Sequence, residues 1–273
     1  MPVFSPRSYL FVPGTRPDRF AKACASGADA VVLDLEDSVA PGDKSTARDA
    51  IAAWLSAAQP AMVRVNTSDS AWFADDLALG GMPGVAGVLL PKAERVEDIR
   101  AVTEKFGTEV PILPQLETAR GFRNAQALAG AKQVWHLLFG SIDFQLDLGM
   151  AAEESELLYF RSQIVLESRL ANILPPVDGV TTDIHSAELV RADALRARRL
   201  GFSGKMCIHP KQVPVVNECF SPSAEEEAWA RRVVEASAEA PGAAISVDGK
   251  MVDRPVLARA EVILATVAQL RRR

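Results

Sequence analysis

Eight short apolar segments, separated by segments with helical periodicity, constrain the fold of this chain most strongly. The predicted strands span residues 9–12, 30–35, 62–66, 85–90, 112–116, 134–139, 177–180 and 205–208. Predicted helices lie between them, among them residues 17–25, 43–58, 95–106, 119–129, 155–171 and 187–200. Strands that alternate with helices indicate a parallel sheet covered by helices, and eight such units predict an α/β protein with a closed (β/α)8 barrel, the TIM barrel.

Two prolines count against a regular fifth strand. Pro111 and Pro114 lie at and inside the predicted strand 112–116, and proline lacks the N–H group that a sheet ladder needs. We therefore expect a bulge or another distortion there.

The chain continues well beyond the eighth predicted strand. Residues 223–238 predict a helix, residues 244–252 a hairpin around Asp248-Gly249, and residues 256–270 a further helix. No low-complexity linker precedes this tail. We predict a catalytic barrel domain over residues 1–220 and a C-terminal helical and hairpin extension over residues 221–273.

Composition narrows the class of protein. A chain of 273 residues with 48% hydrophobic residues can form one such barrel, which commonly needs about 250 residues. It has no apolar run near the roughly 18 residues of a membrane span and no signal-peptide pattern, so we expect a cytoplasmic protein. The net charge of −5 argues against a nucleic-acid surface. The three cysteines form no CxxC pair, which disfavours a disulfide framework or a zinc knuckle.

Polar residues recur at the carboxyl ends of the predicted strands, where a (β/α)8 barrel carries its functional groups. They are Asp34 to Ser38, Arg64 to Asn66, Pro91-Lys92, Glu117, Asp143 and Ile208-His209-Pro210. Unrelated surface charges would not line up with strand ends in this way. This pattern is the main reason to expect an enzyme.

Glu117 and Asp143 each follow an apolar run and lie 143 − 117 = 26 residues apart, about one strand-helix-strand step. If the two strands are parallel neighbours, their ends hold two oxygen ligands side by side, which suits a hard divalent cation such as Mg2+. Carboxylates at such positions also serve as helix caps or ion-pair partners, and the spacing alone leaves both interpretations open.

Arg64 ends the third predicted strand. Its guanidinium can hold a substrate carboxylate through two parallel hydrogen bonds, or it can form an internal ion pair with Glu36 or Asp37. Glu36 and Asp37 are adjacent, so their side chains point in different directions and only one is expected to face a ligand. Among the three histidines, His209 is the one that a strand end would bring to the site.

Eight short motifs are distributed in order over nearly the whole chain. They are LFVPG (residues 10–14, followed by Arg19 and Lys22), LDLEDSV (33–39), VRVN (63–66), LPK (90–92), LETARG (116–121), GSID (140–143), GKMCIHP (204–210) and MVDRP (251–255). In this combination the chain resembles the citrate lyase beta-subunit-like branch of the HpcH/HpaI aldolase/citrate lyase family.

The resemblance implies a (β/α)8 barrel that binds Mg2+, with Mn2+ as an alternative, through Glu117 and Asp143, and that holds the carboxylate of an oxoacid or hydroxyacid through Arg64. It also implies a coenzyme A thioester across the barrel mouth, with contacts to the thioester or the acid at Phe11, Lys22, Glu36, Asp37, Ser38, Val39, Ala40, Pro41, Ile208 and His209. Members often form trimers in which the tail of one subunit covers the next subunit's site. The resemblance thus implies a homotrimer or a multiple of trimers, with Asp253 as an acid/base.

The implied activity is a carbon-carbon lyase that cleaves or forms a 3-hydroxyacyl-CoA, such as malyl-, citramalyl- or citryl-CoA, from an oxoacid and an acyl-CoA. One alternative is a malate synthase-like Claisen condensation of acetyl-CoA with glyoxylate, followed by thioester hydrolysis. Another is a partner-dependent citrate lyase subunit that takes its acyl group from a carrier protein, and a third is an aldolase of non-thioester hydroxyacids. Many relatives carry an acidic residue just before the second metal ligand, where this chain has Ile142, so the exact substrate stays open.

Overall fold

The computed structural model describes residues 5–151, 155–239 and 244–272. Residues 1–4 of the predicted barrel domain lie outside these ranges. Contacts divide the chain into a barrel unit, Ser5–Asn217, and a C-terminal unit that includes Glu218–Arg273. No helix within the described ranges is both long and apolar enough to span a membrane.

The barrel unit contains eight parallel strands that close into a barrel in sequence order, with β1 hydrogen-bonded to both β2 and β8. The strands are β1 Ser8–Pro13, β2 Ala30–Asp34, β3 Ala61–Arg64, β4 Val85–Leu90, β5 Ile112–Leu116, β6 Leu138–Phe139, β7 Val177–Asp178 and β8 Gly204–Cys207. The predicted (β/α)8 barrel is therefore confirmed.

Helices lie between the strands as predicted, but the predicted helix 119–129 is divided at Asn124 and the predicted helix 43–58 ends at Trp54. Those that begin in the barrel unit are α1 Phe20–Cys24, α2 Lys44–Trp54, α3 Phe73–Asp76, α4 Val96–Phe106, α5 Ala119–Arg123, α6 Ala125–Ala129, α7 Ser141–Leu148, α8 Leu158–Leu170, α9 Ala187–Leu200 and α10 Gln212–Phe220. Short 3-10 turns occupy Pro17–Arg19, Pro41–Asp43 and Leu77–Leu79. Inside the barrel, alternate strand residues form a buried core of Tyr9, Ala30, Val32, Leu89, Leu113, Leu138, Val177 and Met206.

Strands β6 and β7 are shorter than predicted. β6 is limited to Leu138–Phe139 where residues 134–139 are predicted, and β7 ends at Asp178 and not at residue 180. β7 begins at Val177 as predicted, directly after Pro175 and Pro176, neither of which can donate a ladder hydrogen bond. Beside Pro114 in β5, the register with the next segment changes. Between the pairs Ile112↔Val134 and Gln115↔Leu138, β5 advances by three residues and the next segment by four. The expected distortion thus lies between β5 and β6, while the pairing of β4 with β5 stays regular.

The C-terminal unit contains α11 Ala224–Glu239, an antiparallel hairpin of β9 Ile245–Val247 and β10 Lys250–Val252, and α12 Arg254–Leu270. At the hairpin turn Asp248 and Gly249 both have positive φ, 50° and 72°, as the Asp-Gly pair predicts for a type I′ turn. A small apolar core joins these elements, formed by Ala230, Val233, Val247, Val252, Ala260 and Ile263.

Candidate active site

A cavity of about 350 Å³ opens at the carboxyl ends of the barrel strands. This mouth cavity lies where the fold class predicts a functional site. Its lining combines carboxylates, one guanidinium and apolar side chains, from Phe11, Asp34, Asp37, Ser38, Arg64, Gln115, Glu117, Gly140, Ser141, Ile142, Asp143, Val180, Met206 and Ile208.

Glu117 follows β5 and is almost completely buried, with 1% of its surface exposed. The Lys92 N–H donates to Oε2 at 2.8 Å, and the Gln115 side-chain amide donates to Oε1 at 2.8 Å. Burial raises the pKa of Glu117 to about 8, although the charges of Arg64 and Lys92 oppose the rise. The carboxylate is thus fixed in position and favoured as a ligand for a cation, which would repay the cost of burying its charge.

Gly140 leaves the space that the Glu117 side chain occupies. A Cβ atom built on Gly140 would overlap Glu117, lying only 2.8 Å from its Cδ. The glycine ends the β6 segment and directly precedes α7, whose first turn carries Asp143. One short segment therefore makes room for the first carboxylate and supplies the second.

Lys92 contacts both of these carboxylates. Its backbone N–H reaches Glu117, while its Nζ lies 3.8 Å from Asp143 Oδ1 and 2.7 Å from Glu36 Oε1. Its φ of 46° is in the left-handed region, which is uncommon for a residue with a Cβ. Burial alone would lower the pKa of Lys92, but the hydrogen bond to Glu36 and the surrounding carboxylates raise it, so Lys92 is a cation at this site.

Arg64 is buried at the end of β3 and forms a bidentate ion pair with Asp34. Its Nε and Nη2 donate to Asp34 at 2.6 and 2.7 Å, its Nη1 lies 3.0 Å from Glu36, and its guanidinium sits over the Phe11 ring at 5.0 Å. Burial would raise the pKa of Asp34, but the charge of Arg64 and the hydrogen bonds from Arg64 and Ser38 outweigh it and lower that pKa. An internal ion pair with Glu36 or Asp37 is one of the two predicted roles of Arg64. The structure shows an ion pair with Glu36, but the main partner is Asp34.

The side chains of the adjacent residues Glu36 and Asp37 lie in different environments. Glu36 is buried and lies between Arg64 and Lys92, whereas Asp37 is exposed and lines the mouth cavity. The Lys44 ammonium fixes the backbone on both sides of Glu36 by donating to the carbonyl groups of Leu35 and Glu36 at 2.7 and 2.8 Å. A direct ligand contact is therefore a prediction that fits Asp37 better than Glu36.

The donor set fits Mg2+. Within the ranges that the structure describes, no group of three or more His, Cys, Asp and Glu side chains is arranged to hold a metal ion. Mg2+ binds through one or two carboxylates and takes its other oxygens from water and substrate, so Glu117 and Asp143 suffice. Each Glu117 oxygen accepts one hydrogen bond from the protein and has a second lone pair left for a cation.

The remaining predicted contacts spread around the mouth. Ile208 lines the mouth cavity and is held by Gln212, whose Oε1 accepts from the Ile208 N–H at 2.9 Å. Ser38 lines it too and donates to Asp34, while His209 follows Ile208 outside the lining. The other predicted contacts do not line the cavity: Lys22, Ala40 and Pro41 are exposed and Val39 is buried.

Asp253 lies in the C-terminal unit, where it caps the amino end of α12. Its Oδ1 accepts a hydrogen bond from the Val256 N–H at 3.3 Å, and its side chain is partly exposed. Its predicted role as an acid/base stays a prediction.

Sequence reasoning did not assign three residues that the structure brings to this site: Asp34, Lys92 and Gln115. Asp34 and Lys92 belong to motifs that end predicted strands, so the signal was present. Gln115 lies two residues before Glu117 on the same face of β5, and strand alternation could have found it.

The chain is similar to proteins of known family. The family model described as HpcH/HpaI aldolase/citrate lyase matches residues 7–210. A citrate lyase subunit beta-like protein of Deinococcus radiodurans is 40% identical over 95% of this chain and 96% of its own length. A (3S)-malyl-CoA thioesterase of Cereibacter sphaeroides is 34% identical, with the same coverage of 95% and 96%.

A solved structure matches nearly the whole chain. The crystal structure of the protein CitE from Mycobacterium tuberculosis, in complex with magnesium, acetoacetate and coenzyme A, superposes with a TM-score of 0.84 at 36% identity and covers 96% of this chain and 98% of that one. With a family model matched over most of the barrel and relatives aligned over nearly the full length, the chain belongs to the HpcH/HpaI aldolase/citrate lyase family.

Proposed function

We propose that the protein is a Mg2+-dependent carbon-carbon lyase that cleaves or forms a 3-hydroxyacyl-CoA thioester. The observation that carries this proposal is the lining of one cavity by the carboxylates of Glu117 and Asp143 together with the guanidinium of Arg64. The M. tuberculosis relative, solved with magnesium, acetoacetate and coenzyme A, supports the same combination of metal, oxoacid and thioester.

Glu117 and Asp143 are the residues that we expect to hold the cation. Bound between them, Mg2+ would supply a Lewis acid for the oxygen atoms of the acid substrate. The protein's own part is to fix the two carboxylates, through the Lys92 N–H, the Gln115 amide and the space at Gly140.

Arg64 is the residue that we expect to bind the substrate carboxylate. A guanidinium has five N–H donors, and the hydrogen bonds to Asp34 use two of them, while Nη1 lies 3.0 Å from Glu36 in an ion pair. The other donors are left for a ligand in the mouth cavity. Since Asp34 and the Phe11 ring hold the guanidinium, a carboxylate bound there is oriented as well as attracted.

In the cleavage direction, the hydroxyl group of the substrate loses its proton and the bond between C2 and C3 breaks. The hydroxyl carbon becomes the carbonyl of an oxoacid, and the bonding electrons stay on C2 as the enolate of an acyl-CoA. A proton delivered to C2 completes the acyl-CoA, and in the reverse direction the same group abstracts it. We assign this proton transfer to Asp253, supplied by a neighbouring subunit of a homotrimer or a multiple of trimers.

The thioester is expected to cross the barrel mouth. Predicted contacts fall on Phe11 and Ile208, which line the mouth cavity, and on the segment of residues 38–41, Lys22 and His209 around it. Ile142, half-exposed beside Asp143, adds an apolar surface to the acid end of the cavity. We expect it to influence the choice among malyl-, citramalyl- and citryl-CoA.

The test is turnover of these three thioesters by the purified chain with Mg2+, measured as glyoxylate, pyruvate or oxaloacetate released. Glu117→Ala and Asp143→Ala should each lower the rate by about 10²–10³-fold while circular dichroism shows an intact fold. Glu104→Ala, at an exposed glutamate of α4, is the control and should leave the rate unchanged. Undiminished activity in EDTA would contradict the proposal.

Thioester hydrolysis is a second candidate, favoured by the relatives named (3S)-malyl-CoA thioesterase. Malyl-CoA separates the two activities because a lyase releases glyoxylate and acetyl-CoA, whereas a thioesterase releases malate and free coenzyme A. Acetyl-CoA and glyoxylate supplied together test condensation with hydrolysis by the same readout of malate and free coenzyme A. Turnover of free thioesters by the isolated chain would exclude strict dependence on a carrier protein.

A further inference from the structure

Lys92 is a residue whose two polar groups reach the two proposed metal ligands separately. Its backbone N–H donates to Glu117 Oε2 at 2.8 Å, and its Nζ lies 3.8 Å from Asp143 Oδ1. The backbone contact depends on the left-handed conformation of Lys92, with φ 46°, and not on its side chain. A side-chain substitution that keeps the backbone in place therefore changes the charge at the site and leaves the support of Glu117.

The Lys92 ammonium lies closer to Glu36 than to Asp143. Its shortest ion pair is to Glu36 Oε1 at 2.7 Å, and its distances to Asp37 Oδ2 and Asp143 Oδ1 are 3.7 and 3.8 Å. Its side chain is 31% exposed and that of Asp143 is 34% exposed, so water and a ligand can reach both groups. The ammonium thus lies near Asp143 but leaves its carboxylate accessible to a metal ion.

A fixed positive charge next to a cation site has a predictable effect. It lowers the affinity of Asp143 for a bare divalent cation, because the two cations repel each other and share one carboxylate. An anionic ligand that binds beside the metal brings a negative charge that offsets this repulsion. Metal and anion then strengthen each other's binding, and by thermodynamic linkage the effect is reciprocal.

We propose that Lys92 is a positioning residue that makes divalent-cation binding at Glu117 and Asp143 depend on an anionic oxoacid. The inference rests on the proposed function, since it concerns the cation site assigned there. It adds an order to the binding events: the site holds the metal weakly alone and firmly as a metal-oxoacid pair. In the metal-free site, the Lys92 ammonium offsets part of the negative charge of Asp143.

The experiment measures Mn2+ binding to the purified full chain by electron paramagnetic resonance of free Mn2+, with and without saturating pyruvate. For the wild type we expect pyruvate to lower the Kd of Mn2+ by about tenfold. Lys92→Gln should bind Mn2+ alone about tenfold more tightly than the wild type does, and pyruvate should then lower its Kd by a smaller factor than in the wild type, since only the interaction of pyruvate with the metal and with Arg64 is left. Lys92→Arg keeps the charge and should keep the wild-type coupling.

Lys105→Gln, at an exposed lysine of α4, is the matched control and should bind Mn2+ as the wild type does. Equal Kd values for Mn2+ in wild type and Lys92→Gln, or an undiminished effect of pyruvate in Lys92→Gln, would overturn the inference while leaving the metal site intact. Wild-type affinity for Mn2+ in Asp143→Ala would instead refute the proposed metal site, and with it this inference. Circular dichroism of each variant verifies that the fold is retained.

Discussion

At the scale of single residues, this site is built from charges that the fold has buried. Glu117 and Arg64 are each nearly inaccessible, and each is held by a residue at or just after the end of a neighbouring strand. An isolated buried charge is costly, and pairing or metal binding is what makes it tolerable. Arg64 is satisfied by Asp34 and Glu36, whereas Glu117 accepts hydrogen bonds only from the neutral amides of Lys92 and Gln115 among the residues in the described ranges. That difference favours Glu117 as the residue that takes a cation.

Gly140→Ala tests whether the position of Glu117 depends on the absence of one methyl group. The new Cβ would overlap the Glu117 side chain, so we expect a loss of about 1–3 kcal/mol in the free energy of unfolding. We also expect weaker Mn2+ binding, measured by titration. Gly130→Ala, where the nearest atom would lie 3.4 Å away, should change neither quantity appreciably. A Gly140→Ala variant with wild-type Mn2+ affinity would show that Glu117 is not confined in this way.

At the scale of elements, single side chains fix the ends of helices and loops near functional positions. Gln212 at the start of α10 accepts from the Ile208 N–H and donates to the carbonyl groups of Thr181 and Asp183, which joins the loops after β7 and β8. In the C-terminal unit, Asp253 fixes the start of α12 by accepting a hydrogen bond from the Val256 N–H. A cap and an acid/base make different demands on Asp253, since the cap needs only a hydrogen-bond acceptor.

Asp253→Asn should therefore separate the two roles. Asparagine caps a helix about as well as aspartate, so the free energy of unfolding of Asp253→Asn should stay close to that of the wild type. For Asp253→Ala it should fall by about 1 kcal/mol. Both variants lack the carboxylate and should turn over the thioester about 10²–10⁴-fold more slowly. Normal turnover by Asp253→Asn would show that Asp253 is a cap and nothing more.

At the scale of the whole molecule, a buried histidine makes the stability of the fold depend on pH. His136 is 1% exposed, its Nδ1 contacts the Pro175 carbonyl oxygen at 2.6 Å, and burial lowers its pKa to about 4. Between pH 6.5 and about 4, the unfolded chain therefore binds a proton at this residue that the folded chain does not. The free energy of unfolding falls as the pH falls through this window.

Urea denaturation at pH 4.5 to 7.5 measures this dependence. The shift in the pKa of His136 corresponds to a loss of up to about 3 kcal/mol on acidification. His136→Gln should show a shallower decline over the same range, because it removes this one proton. His185→Gln, at an exposed histidine, should retain the wild-type decline. A decline in His136→Gln as steep as that of the wild type would assign the acid sensitivity to carboxylates instead.

The sequence by itself determined the architecture, because that depends on local periodicity. Strand-helix alternation predicted the order of all eight barrel strands, Asp248-Gly249 predicted the hairpin turn, and Pro114 predicted a distortion beside β5. Strand ends also predicted that Glu117, Asp143 and Arg64 meet in one place, since parallel strands of a barrel end on the same rim. These features follow from chain direction and residue type, both of which can be read directly from the sequence.

Only the tertiary structure decided which charges pair. Arg64 had three nearby carboxylates in the sequence pattern, and the registers of β2 and β3, which align Asp34 with Arg64, selected Asp34. The left-handed backbone of Lys92 and the space beside Gly140 likewise became visible only once strands distant in sequence were packed together. Which charges form ion pairs depends on differences in distance of a few tenths of an ångström and on burial. The spacing of residues along the sequence determines neither.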